Sequence, residues 1–124
     1  MPSQNNTGRQ FDKRHSVTIV AMAALASCRF AAYDGGYPNA TGGAKDVQGV
    51  TENAADIGEA VALTTSYSAL VEAGAAIAFG VLVTTDATGR AVAGTAADHC
   101  GRALGASTAA GQLIEVQLYK HVHA

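Results

Sequence analysis

Short apolar phrases, each opened by a glycine, recur from Val47 to Gly94 and leave little room for anything but short β-strands. One runs Asp56-Ile57-Gly58-Glu59-Ala60-Val61-Ala62-Leu63-Thr64-Thr65, another Ala78-Phe79-Gly80-Val81-Leu82-Val83-Thr84-Thr85. In both, a run of β-branched and aliphatic residues closes on Thr-Thr. A third, Ala110-Gly111-Gln112-Leu113-Ile114-Glu115-Val116-Gln117-Leu118, lies near the C-terminus. Glycine supplies a turn or bulge, and the run that follows suits a pleated, half-buried surface. The spacing predicts structural turns with positive φ at Gly58, Gly80 and Gly111.

Read along the chain, strands are expected over Val17–Val20, Ser27–Ala32, Asp46–Thr51, Glu59–Thr65, Ser68–Glu72, Val81–Thr85, Arg90–Ala93, Gly101–Leu104 and Leu113–His121. Turn residues such as Asp86-Ala87-Thr88-Gly89 separate them. Short, regularly spaced strands with this punctuation predict an all-β domain, a small compact β-sandwich or β-barrel, and not a βαβ fold. Ala21–Leu25 and Ala73–Ala78 have the composition for one helical turn each. Tyr33–Ala44 is a glycine-rich loop, and its Asn39-Ala40-Thr41 sequon reads as an ordinary turn. A longer echo joins Gly49 to Gly58 and Gly101 to Gly111, with gaps of nine and ten residues. One β-turn-β device is used twice, through duplication or because a barrel needs it twice, with the glycines serving turns or close strand approach.

Residues 1–16 contain a single aromatic, Phe11, and almost no other apolar content, and read as an extended N-terminal arm preceding a β-rich domain over 17–124. The arm holds Arg9, Lys13 and Arg14 against Asp12, a net +2; the whole chain is −2, which leaves −4 for the domain. The arm therefore suits an acidic protein surface, and Arg9, Phe11, Lys13 and Arg14 are its candidate binding residues. No basic stripe interleaved with aromatics points to nucleic acid. Of the 124 residues 48% are apolar, yet tryptophan is absent and aromatics make 6%. Alanine buries little area, so such a thin core is expected to gain stability through assembly with other copies.

Cys28 and Cys100 are too few for a disulfide scaffold and read as buried thiols, although spacing leaves their pairing open. Lys13-Arg14-His15, the apolar run Val17–Ala26 and Leu25-Ala26-Ser27-Cys28 also mimic a lipoprotein signal. The alternative reading is thus a bacterial lipoprotein or cell-surface β-domain anchored through Cys28. The run is too short to span a membrane. His121 and His123 would share a strand face but lack a third ligand, and read as solvated tail residues. His99 and Cys100 are neighbours pointing to opposite faces, badly placed as base and nucleophile. The carboxylates are scattered, and no phosphate loop or nucleophile elbow occurs. The sequence gives no catalytic, cofactor-binding or metal-binding residues, which favours a structural subunit over an enzyme.

Several phrases taken in order resemble the cement, or head decoration, proteins of tailed bacteriophages. They are Gly58-Glu59-Ala60-Val61, Ala69 to Ile77, Gly80 to Asp86, Gly89-Arg90-Ala91, Gly101-Arg102-Ala103-Leu104 and Ala109 to Val116. Arg29-Phe30 and Gly49-Val50 fall where that family has similar phrases. The resemblance spans about Val17 to Leu118. It implies a non-enzymatic protein, made in the host cytoplasm, on the outer surface of the virion capsid. There it would tie neighbouring major capsid protein subunits together, commonly as a homotrimer at threefold and quasi-threefold positions. The family brings no catalytic residues and no cofactor. The longer arm and the C-terminal tail depart from its pattern.

Overall fold

The computed structural model describes residues 16–38 and 43–122. Among these residues nine strands follow one another: β1 (Ser16–Val20), β2 (Phe30–Ala32), β3 (Val47–Thr51), β4 (Ala60–Thr64), β5 (Ser68–Glu72), β6 (Leu82–Thr85), β7 (Ala91–Ala93), β8 (His99–Ala103) and β9 (Leu113–Val122). A single 3-10 turn, Gly43–Lys45, precedes β3, and the described residues contain no α-helix. The strands form two antiparallel sheets, β1-β4-β3-β2 and β5-β9-β8-β6-β7. The all-β expectation holds, and the strands fall within three residues of where the phrases put them.

Two expectations need correction. Ala21–Leu25 forms no helical turn, because its backbone groups are taken across the sheet: Ala21 N–H donates to Glu59 O (2.9 Å), and Leu25 exchanges both bonds with Ala55. Ala73–Ala78 behaves likewise, with Ala73 N–H on Gln112 O (2.7 Å) and Ile77 paired reciprocally with Ser107. A few residues of helix propensity lose to bonds that a neighbouring segment already offers. In addition, Ser27–Arg29 is not yet strand, because Cys28 sits at φ 57° and turns the chain before β2 begins.

These two segments are the same element used twice. β1, β2 and β3 begin 52 residues before β5, β6 and β8, and β4 begins 53 before β9. The four strands are ordered β1-β4-β3-β2 in one sheet and β5-β9-β8-β6 in the other. Their bonds repeat too: Gly58 N–H to Ala21 O matches Gly111 N–H to Ala73 O, both 2.8 Å. Thr51 N–H to Arg29 O matches Ala103 N–H to Val81 O. Gly49 and Gly101 occupy one position in the two halves, each beside a register irregularity. A Cβ on Gly49 would come 2.5 Å from Thr64 O, and one on Gly101 would collide with Gln117 O. Close strand approach therefore excludes any side chain at both.

The core has two parts. Alternation along β4 turns Val61 and Leu63 into a small cluster with Ala21, Leu25, Ala31 and Ala55. The larger cluster holds Val71, Ile77, Val83, Ile114 and Val116 of the second half together with Phe30, Val47 and Val50 of the first. The two sheets are thus one packed unit.

Candidate functional site

Chemistry concentrates at the joint between the sheets. Cys28, in the position that Gly80 (φ 85°) occupies in the second half, bends the chain so that its carbonyl accepts the Glu72 N–H at 2.8 Å. Arg29 follows and reaches across the joint. Its Nη2 meets Glu72 Oε1 at 3.2 Å, and its Nη1 donates to Thr88 O at 3.0 Å. Arg90 extends the chain of alternating charges, with Nη1 3.9 Å from Glu72 Oε2 and Nε 3.3 Å from Asp86 Oδ2. All four side chains are one-third exposed or less, so water screens them less than open surface pairs. Burial alone would raise the Asp86 carboxyl, but the N–H groups of Arg90 and Thr88, the Thr88 hydroxyl and the Arg90 charge together hold it below its ordinary value.

A second tie comes from the C-terminal end of β9. His121 is buried: its Nδ1 accepts the Val47 N–H at 2.9 Å, and its Nε2 faces Asp98 Oδ1 at 3.2 Å. Asp46 Oδ1 lies 3.7 Å from Nδ1. Asp46 and Asp98 are themselves 52 residues apart, so the repeat brings its two copies of one aspartate to a single histidine. Reading His121 as a solvated tail residue is therefore corrected. Nothing local in the sequence signals the contact, because β9 meets β3 only once both sheets are packed; the matching Asp46 and Asp98 positions were the available clue.

Gly58, Gly80 and Gly111 have φ of 88°, 85° and 95°. Arg9, Phe11, Lys13, Arg14 and His123 lie outside the described residues. Cys28 and Cys100 are both free thiols. Burial, with a smaller contribution from the Asp98 charge, pushes the Cys100 thiol far above its usual range, so it stays protonated. His99 turns to Thr95 O (3.0 Å) and packs edge-on against Tyr119. No three His, Cys, Asp or Glu side chains among the described residues converge to hold a metal ion. None of their helices is long and apolar enough to cross a membrane.

Two concavities lie among the described residues. One of about 390 Å³ is lined by Leu25, Tyr37, Ala55, Asp56 and Glu59, and another of about 230 Å³ by Cys28, Val50, Thr64, Ala69 and Leu70. Large apolar side chains are instead exposed on the outside, among them Val20, Met22 and Ile57 near the end of β1 and Phe79 just before Gly80. Such a surface is suited to contact with other protein.

Over 88% of its length the chain superimposes on 98% of a solved structure described as the head fiber gp8.5 N base of bacteriophage phi29, with a TM-score of 0.62 and 20% identity. That likeness is one of fold. No curated protein matches the chain. The phage cement protein family matches residues 10–118, which include β1 to β8, the first part of β9 and the ionic chain of Arg29, Glu72, Arg90 and Asp86. The chain belongs to the phage cement protein family, a family of phage head structural proteins.

Proposed function

We propose that this protein is a capsid decoration protein that binds the outer surface of a phage head and ties neighbouring major capsid subunits together. The observation that carries this reading is the family match over residues 10–118, nearly the whole described fold. Two features support it. The body is a packed pair of sheets crossed by an ionic chain and a buried histidine, suited to bearing load. Large apolar side chains, Val20, Met22, Ile57 and Phe79 among them, are exposed for contact with other protein. The arm, residues 1–16, is the capsid-binding element in this reading, with Arg9, Lys13 and Arg14 meeting acidic capsid surface and Phe11 entering a pocket. Copies associate as a homotrimer at threefold and quasi-threefold positions.

The lipoprotein alternative finds no favour in the fold. Cleavage before Cys28 would remove β1, all five residues of which pair with β4, together with the buried Ala21 and Leu25. The test of the capsid reading is to mix the protein with expanded, undecorated capsids of its phage. Saturable binding seen after sedimentation, and a higher temperature of capsid rupture, are expected. Capsids that stay bare at micromolar protein would overturn it.

A further inference from the structure

The two halves of the repeat meet through different surfaces. Phe30 pairs with Val50, and Val50 with Thr64, so these residues share the face of the first sheet opposite to Ala31 and Leu63. That face enters the larger cluster with Ala69, Val71 and Val116 of the second half. A twofold joint would set like against like; this one is head-to-tail. Among the described residues it leaves two ends open, a receiving surface on β1 and a donor surface around Gly80–Leu82.

The receiving surface repeats the one already filled inside the molecule. Val17 and Ile19 stand where Ala69 and Val71 stand, but Val17 is 39% exposed while Ala69 and Val71 are 4% and 0% exposed. The bond from Ala21 N–H to Glu59 O sets the hydrogen-bonding phase of β1, so Val20 directs its N–H away from β4. Glu72, its counterpart, directs its N–H to the Cys28 carbonyl. Edge strands usually carry charge, proline or a bulge as protection; β1 reads Val17-Thr18-Ile19-Val20 and has none of these.

The donor surface matches it. The Gly80 carbonyl stands where the Cys28 carbonyl does, and Leu82 where Phe30 does. Val81 stands where Arg29 does, as Val20 stands where Glu72 does. Both members of the internal ion pair are thus replaced together by valine, Val20 exposed and Val81 partly buried against the larger cluster. Val20 is 57% exposed, a position where solvent alone would favour a polar residue.

We infer that a second copy of this chain docks head-to-tail on β1, repeating between molecules the joint made within one. Val81 of one copy lies against Val20 of the next, Leu82 covers Val17 and Ile19, and the Val20 N–H reaches the Gly80 carbonyl. Arg102 occupies the position of Val50 and is the polar exception. Its guanidinium is held by Gly80 O (2.7 Å) and the Tyr119 hydroxyl (3.3 Å). The internal bond from Phe30 N–H to Gly89 O has no counterpart, because β7 covers that edge of β6. A heterologous contact of this kind closes into a ring when its rotation allows. The inference rests on the proposed self-association and is independent of capsid attachment.

Sedimentation velocity over a wide concentration range tests it. Native protein should associate, and Val20→Glu, at an exposed position that leaves thermal unfolding unchanged, should weaken association at least tenfold. Combining Val20→Glu with Val81→Arg re-creates the internal ion pair between copies and should recover most of the loss. In a Cys28→Ser background, Val20→Cys with Val81→Cys should oxidise to covalent species larger than a dimer. That arm needs no charge near the core. Protein monomeric at every concentration, or dimers formed by Val20→Cys alone through β1 against β1, would overturn the contact. Native protein that associates yet leaves capsids bare would sink the capsid reading while supporting this one.

Discussion

At Gly58 the chain needs a left-handed backbone but has room to spare: a Cβ there would touch nothing within 4 Å, and the same is true of Gly80 and Gly111. Gly101 is the reverse, with a Cβ forced against the Gln117 carbonyl. Valine at Gly58, Gly80 or Gly111 should therefore cost about 1–2 kcal/mol of backbone strain. Alanine at Gly101 should cost more, about 2–4 kcal/mol, because a strand has to move. Equilibrium urea unfolding of the four variants checks the order, and equal small losses would contradict it. Asp86 gives a pH signature. Its carboxyl is held below its ordinary value, so the folded state prefers the charged form. The resulting stability is fully present above the ordinary carboxylate pKa and is lost as pH falls through the lowered one. Asp86→Asn should lower stability at neutral pH by about 1–2 kcal/mol. It should also flatten the acid side of the stability curve below about pH 4.

Among the elements, the segment from Cys28 to β2 contributes most to the joint, since it supplies the carbonyl, the guanidinium and Phe30 that reach the second half. Glu72 lies between Arg29 and Arg90, so Glu72→Ala leaves two cations facing each other across part-buried surface. A loss of about 2–3 kcal/mol is expected, larger than for Arg29→Ala, because removing the shared anion adds repulsion to the lost bonds. Thermal unfolding at low and high salt separates the two effects: the Glu72→Ala deficit should shrink as salt screens the repulsion. A deficit independent of salt would show that the packing of Phe30, and not the ionic chain, holds the joint.

For the whole molecule, the charge imbalance between arm and body sets the expectation. The body carries −4 and the arm +2, so under the proposed function the arm is expected to make the attachment to an acidic capsid surface. Deleting residues 1–14 should leave the melting temperature of the β-domain within a few degrees of the native value while weakening capsid binding. Phe11→Ala should give part of that loss. Full binding by the truncated protein across a salt titration would move the capsid contact from the arm to the sheets.

Periodicity by itself determined the strand positions, the turn glycines and the all-β class, because each rests on interactions between residues close in sequence. The echo between Gly49–Gly58 and Gly101–Gly111 even exposed part of the repeat. What it could not determine was how the two halves meet. The convergence of Asp46 and Asp98 on His121, and of Arg29 and Arg90 on Glu72, joins residues that no local pattern links. The helix propensity of Ala21–Leu25 misled for the same reason, since its bonds go to Glu59 and Ala55. Which face of the first sheet is buried is decided by the volume the second sheet leaves for Phe30, Val47 and Val50. That is a property of packing between distant segments, and only the tertiary structure contains it.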